Sequence, residues 1–409
     1  MRRRDIVAGA ALLVPAAAIG IPGSARAASA AAAASASLDA ALRPYLARYG
    51  LPALAAAVAA DGNVIAAGAA GTRRSGFEIP VTLDDAFAIG SDTKAMTALI
   101  AAMFVEQGLL AWNTTVGSQY PELAGTMNAE LAGVTLVQLL SHTSGLPSDT
   151  DEFIREVYSS YAETDLNLDE LRYWLVKKRC GLPLKSRPGT EFAYSNMGYI
   201  LLGSILERRA KSTWEELIVE RVFTPFGFRT AGLGPGARLG RIDAPLGHLV
   251  LADGSLKPML AGPNGDAPEI FGPAGTVHIS ILEFAAWAGW NAGEGKRGPH
   301  LVNSETIRKL HTPVIAVPVP GAAPGTPVAG GYALGWGRAT MAFSAEPFIQ
   351  HSGSNGMNLA LIMLQPRHDF AIVMATNVGG AKADAALRAL AAELYGRFGP
   401  APTAGNGRQ

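Results

Sequence analysis

Within the stretch Phe87-Ala88-Ile89-Gly90-Ser91-Asp92-Thr93-Lys94, a serine and a lysine stand three positions apart. A serine hydroxyl is a weak nucleophile until a base lies beside it. Of the nine lysines, only Lys94 has a serine three places earlier. From Ser91 the apolar residues Met96, Leu99, Ile100, Met103 and Phe104 recur at helical spacing, and Gly108 supplies a stop. On a helix, positions i and i+3 share a face, so the ammonium can reach the hydroxyl. A place in the first turn would also set unpaired N–H groups and the helix dipole against negative charge developing at Ser91. The purely structural reading makes Ser91 a helix-start residue and Lys94 a solvated one.

Other arrangements are poorer. No G-x-S-x-G elbow and no H-E-x-x-H pair occurs, and the seven histidines lie far apart, which argues against an α/β-hydrolase nucleophile and against a metal site. The run Gly232-Leu233-Gly234-Pro235-Gly236-Ala237 follows no strand pattern and contains proline, so it reads as a loop, not a dinucleotide cradle. Two further polar clusters could serve Ser91: Tyr194-Ser195-Asn196, at a loop-to-helix junction, and His351-Ser352-Gly353, on a strand.

With these clusters in place, the chain resembles the serine β-lactamase-like family, the group of class C β-lactamases, D-alanyl-D-alanine carboxypeptidases and related esterases. The resemblance covers nearly all of the chain beyond its first residues. Besides S-x-x-K and Y-x-N it is carried by LLSHTSGLP at 139–147, TPFGFRTAGL at 224–233, GPAGTVHISILEFAAW at 272–287 and YALGW at 332–336, in the family's order. It implies that Ser91 attacks a carbonyl carbon while Lys94 and Tyr194 share the transfer of its proton. Free tyrosine and lysine titrate near ~10 and ~10.4, so the site must shift one of them before it acts as a base. Which of the two carries the proton stays open at this level.

The resemblance further implies an oxyanion hole from the backbone N–H groups of Ser91 and Ser354, the latter just past Gly353. Asn196 would hold the substrate beside the scissile bond; its alternative is a helix-starting asparagine that satisfies backbone N–H groups. His351 stands where β-lactamases carry the lysine of Lys-Thr-Gly. This departure resembles the carboxypeptidase and esterase members, and weakens the case for efficient β-lactam hydrolysis. A cationic His351 would attract a substrate carboxylate below its pKa. His142 and His278 fall in segments the family uses as scaffold and read as structural histidines. Trp336 reads as an aromatic core residue near the sheet edge.

These residues need a folded frame, and the composition supplies one. The 409 residues are 49% hydrophobic and 17% charged, which excludes a disordered polar chain. Residues 1–27 have the parts of an export signal: basic Met1-Arg2-Arg3-Arg4, an apolar run broken by Pro15, and Ala25-Arg26-Ala27 as a cleavage site. The run is too short for a bilayer span, so cleavage is expected over a retained anchor, leaving no stable membrane span. The arginine pair suggests the twin-arginine route to a periplasmic or secreted location. Charge is balanced at 34 basic and 34 acidic residues, and loss of the leader leaves the chain slightly acidic, with no footprint for nucleic acid. A small-molecule ester, amide or peptide is the expected partner, with no cofactor and no metal; oligomeric state is not legible. Cys180, the single cysteine, reads as a buried thiol at a helix end.

The frame is legible from both ends of the chain. Residues 38–49 have helical spacing, and two apolar runs meet at Asp61-Gly62, a pair suited to a tight antiparallel hairpin. Strand patterns return at 332–339, 358–366 and 370–378, then a helix closes the chain. Residues 314–331, rich in proline and glycine, read as a surface loop. The fold class is therefore α/β (α+β): an antiparallel sheet built from both termini and flanked by helices, with an inserted mainly helical domain, β-lactamase/transpeptidase-like. The expected parts are the signal at 1–27, the α/β domain at 38–112 and 325–400, the helical insertion at 113–324 and a disordered tail at 401–409. The functional expectation is an exported serine hydrolase acting through an acyl-enzyme, D-alanyl-D-alanine carboxypeptidase- or esterase-like. Its rivals are a class C-like β-lactamase and a non-catalytic penicillin- or peptidoglycan-binding protein.

Overall fold

The computed structural model describes residues 36–262, 264–317 and 327–401; the expected signal and most of the expected tail lie outside them. Its main sheet has nine strands: β1 Ala36–Ser37, β2 Ala53–Ala60, β3 Asn63–Gly71, β4 Ile315–Val317, β5 Pro327–Tyr332, β6 Gly337–Met341, β7 Phe348–Ser354, β8 Leu359–Gln365 and β9 Phe370–Thr376. Their order is β1-β3-β2-β9-β8-β7-β6-β5-β4. All neighbours are antiparallel except β1 with β3. The two ends of the chain meet where β2 pairs β9, with Leu54 opposite Thr376. The β2–β3 turn is the expected two-residue one: Asp61 and Gly62 both have positive φ, 51° and 76°.

Period-two alternation sorts the strands into two cores. Ala53, Ala55, Ala57 and Ala59 of β2, with Ala371 and Val373 of β9 and Ile362 of β8, face one core. Leu54, Val58, Ile372, Met374 and Leu361 face the other, covered by helices α1 Asp39–Tyr49 and α5 Ala381–Phe398. The first face also carries α2 Thr93–Glu106 and α4 Ile281–Ala292. The alanines of β2 let α4 come close: a Cβ on Gly289 would lie 3.4 Å from the Ala59 methyl.

α2 is the pivot. The sequence pattern gives it one apolar stripe, yet every residue from Thr93 to Phe104 is buried, because Ala95, Ala98, Ala101 and Ala102 fill the faces left beside the stripe. A helix covered on all sides holds its first turn rigidly, which is what a nucleophile there requires. The strand Ala86–Ala88 pairs with Val277–Ser280, and Ile89 N donates to Val277 O at 2.9 Å, so the chain enters α2 along a fixed line.

Two expectations need correction. Residues 314–331 are not all loop: β4 and β5 occupy the two outermost positions on one side of the sheet, and Pro327 is tolerated because it is the first residue of β5 and pairs only on the β6 side. YALGW is not a strand beyond Tyr332. Ala333–Trp336 is a tight turn, with Ala333 N donating to Trp336 O at 2.7 Å. Gly335 has φ 79°, and a Cβ there would lie 2.9 Å from Lys94 O. Trp336 is fully buried, edge-on to His311 at 5.2 Å. Among the described residues no helix is long and apolar enough to cross a membrane.

Candidate active site

Ser91 lies in the short 3-10 turn Gly90–Asp92 that leads directly into α2, and Lys94 is one turn further on. The two side chains meet: Lys94 Nζ donates to Ser91 Oγ at 3.0 Å. It also donates to Asn196 Oδ1 at 2.7 Å and to Ala274 O at 2.6 Å, so all three ammonium hydrogens have acceptors. The carbonyl arrives because residues 273–277 lie along the first turns of α2. Val277 N donates to Thr93 Oγ1 at 3.2 Å, and Thr97 Oγ1 donates to Pro273 O at 2.8 Å.

Burial is the leading influence on Lys94 and pulls its pKa down to about 7, while the charges of Asp149 and Asp92 oppose the fall. Tyr194 hydrogen-bonds Ser91, and burial pushes its hydroxyl above the ordinary value of 10. The two candidate bases are thereby separated. Near neutral pH Lys94 can take a proton from Ser91, and Tyr194 keeps its own. The Tyr194 ring is held by His142, whose ring lies 4.2 Å away, and Ser195 N donates to His142 Nδ1 at 3.2 Å. His142 is buried, with its pKa driven down by that burial, and serves as scaffold. His278 bonds Gly234 O at 2.8 Å through Nδ1, with the same role.

Asn196 is the first residue of α3 Asn196–Ala210. Its carbonyl accepts from Lys94 and its amide donates to Asp149 Oδ2 at 2.5 Å, so the side chain links two charged groups and is not a backbone cap.

The opposite wall is β7. A Cβ at Gly353 would fall 1.8 Å from Ile89 O and 2.5 Å from Ser91 N, and one at Gly90 would fall 2.5 Å from Ser354 N. Only glycine at both places lets the strand end and the Ser91 turn touch, and the contact brings the amides of Ser91 and Ser354 near each other. Such closeness is what a two-donor oxyanion hole would require. The Ser354 hydroxyl turns away, donating to Asn358 O at 2.6 Å, and Asn355 Nδ2 donates to Asp266 Oδ1 at 2.6 Å, which fixes the turn behind the amide.

His351 occupies a different setting from the one expected of it. It is buried, its Nε2 pairs with Tyr332 Oη at 2.9 Å, and its Nδ1 lies 2.9 Å from Ser352 O and 3.3 Å from Asp92 Oδ1. Burial, aided by the Lys94 charge, lowers its pKa to about 3, and burial raises Asp92 well above its ordinary value. At neutral pH the imidazole in this contact is uncharged. A cationic His351 attracting a substrate carboxylate is therefore not a property of this site.

Sequence reasoning missed four participants: Asp92, Asp149, Tyr332 and the Ala274 carbonyl. Asp149 lies two residues beyond LLSHTSGLP, and that adjacency was the only signal available. Cys180 is buried at the end of helix Leu168–Arg179, with its thiol donating to Lys177 O.

Several known proteins are similar to this chain. Protein flp of Staphylococcus aureus (strain MW2) is 26% identical over 294 residues, 71% of this chain and 53% of that protein; the chain spans about half the length of such relatives. Penicillin-binding protein 4 of Amycolatopsis lactamdurans is 27% identical over 80% of this chain and 81% of its own length. The solved structure of the octameric penicillin-binding protein homologue from Pyrococcus abyssi matches with a TM-score of 0.70 and 25% identity, covering 87% of this chain and 76% of that one. The Beta-lactamase family model matches residues 38–396, a span that includes the Ser91 turn, the Tyr194 loop and strand β7. On that match the chain belongs to the Beta-lactamase family, whose members are generally serine hydrolases.

Proposed function

We propose that the protein is a serine hydrolase working through an acyl-enzyme on small esters or amides, D-alanyl peptides among them, and that it works outside the cytoplasm after loss of residues 1–27. The observation that carries the reading is the 3.0 Å contact of Lys94 Nζ with Ser91 Oγ, made by an amine brought to about 7. In acylation Ser91 Oγ bonds to the carbonyl carbon, its proton passes to Lys94, and the C–O or C–N bond breaks as the leaving group is protonated through Tyr194. In deacylation a water oxygen bonds to the same carbon, the ester to Ser91 breaks, and a proton returns to Ser91 Oγ. No step changes an oxidation state. Charge developing on the carbonyl oxygen faces the Ser91 and Ser354 amides, each such donor being worth ~2.7–4 kcal/mol in the transition state.

Intact-protein mass spectrometry with a fluorophosphonate, and separately with benzylpenicillin, tests the reading against Ser91→Ala. The expected result is a fluorophosphonate adduct and p-nitrophenyl acetate hydrolysis, both lost in Ser91→Ala. A persistent penicilloyl adduct fits a carboxypeptidase-like site, and fast nitrocefin turnover would favour a β-lactamase instead. No adduct from either probe on folded protein would sink the hydrolase reading and favour a binding protein.

A further inference from the structure

The charges around Ser91 are unevenly distributed. Tyr194 and His351 are uncharged at neutral pH, for the reasons given above, Asp92 is enclosed in the protein, and Lys94 is buried with its three hydrogens committed inside the protein. An exposed charged group at this edge of the site is the carboxylate of Asp149, on the loop that follows Pro147. Among the described residues its hydrogen bond is the one from Asn196 Nδ2, and its negative charge acts on Lys94. Asn196 in turn accepts from Lys94 at Oδ1 and gives one amide hydrogen to Asp149, so its other amide hydrogen is left as a donor towards a ligand.

Resting on the hydrolase reading above, we propose that Asp149 is a specificity-determining residue that receives an ammonium group of the substrate, placed on the acyl side next to the scissile carbonyl. The chain Ser91–Lys94–Asn196–Asp149 is continuous, each link a single hydrogen bond, so a carbonyl at Ser91 lies within a few atoms of the carboxylate. An ammonium there would gain a charge-assisted bond, whereas an N-acyl group would lose its charge and set a carbonyl against an anion. The substrate class this selects is amides, esters and peptides of amino acids whose α-amino group is free, in preference to N-acylated ones.

The test compares kcat/KM for alanine p-nitroanilide, in both hands, with its N-acetyl derivative, using p-nitrophenyl acetate as the substrate without an amine. Expected is a preference for the free amine of about tenfold to a hundredfold, the worth of one hydrogen bond between charged groups. Asp149→Asn should collapse that ratio towards one, and Asp149→Glu should keep part of it, which a merely structural role would not produce. Equal or better use of the N-acetyl compound, a ratio unmoved by Asp149→Asn, or anilides that neither react nor compete with p-nitrophenyl acetate would each overturn the proposal. Absence of Ser91-dependent p-nitrophenyl acetate hydrolysis would instead overturn the hydrolase reading beneath it.

Discussion

Lys94 and His351 flank the same serine and are both fully enclosed, yet burial does opposite things to them. An amine starts near 10.5, and loss of water brings it to about 7, where it exchanges protons at neutral pH. An imidazole starts near 6.5, and the same loss takes it to about 3, where it is simply neutral. The partners differ accordingly. Lys94 is ringed by acceptors from Ser91, Asn196 and Ala274 that tolerate either protonation state, while His351 is pinned between Tyr332, Ser352 and the enclosed Asp92. Desolvation makes a base of the group that starts too basic and a scaffold of the group that starts near neutrality.

The comparison breaks most severely if Lys94 proves dispensable. Lys94→Met is expected to lower kcat/KM for p-nitrophenyl acetate by about 10²–10⁴, the range for a lost general base. The wild type should gain activity as pH rises through about 7, because Lys94 must shed its proton to act, and the variant should lose that limb. A pH-rate profile of both proteins decides it; a wild-type profile flat from pH 6 to 8 would remove Lys94 from the role of base.

Gly353→Ala tests the wall that His351 belongs to. Its methyl would meet Ile89 O and Ser91 N, parting the two amides. A loss of about 10²–10³ in kcat is expected from damage to the oxyanion donors. Circular dichroism and thermal melting would show whether the fold survives, and a folded variant of undiminished kcat would mean that the Ser354 amide stabilises no charge.

The smallest effect concerns stability. Below pH 6.5 the unfolded chain protonates His351 and the folded chain does not until about 3, so His351 makes the fold lose stability as pH falls through that window. Between pH 6.5 and 5 the loss is about 2 kcal/mol. Denaturant unfolding at pH 7 and pH 5 should show a smaller acid penalty in His351→Gln than in the wild type. An equal penalty would mean that His351 already charges in the folded protein.

Much of this frame was legible early. The apolar runs Ala53–Ala60 and Phe370–Thr376, the Asp61-Gly62 turn and the stripe from Met96 to Phe104 are local signals, and local signals survive without tertiary information. Ser91, Lys94, Tyr194 and Asn196 were legible through short motifs, and the structure brings their side chains to one place. Residues 314–331 were misread because the tolerance of an edge strand for proline depends on where the strand lies in the sheet, which no window of sequence contains. Asp149 carries no motif and becomes visible only when its loop meets the start of α3.

By itself, then, the sequence determined which residues could react and which elements would carry them, because residue type, spacing and periodicity act over a few positions. Tertiary structure alone decided their charge states and their company: Lys94 as the group poised near neutrality, His351 as an uncharged post, a carbonyl from Ala274 as the third acceptor, and Asp149 at the rim. Proton affinity depends on water excluded and charges approached, and both are set by segments far apart in the chain, as Lys94 and Ala274 are, 180 residues from each other.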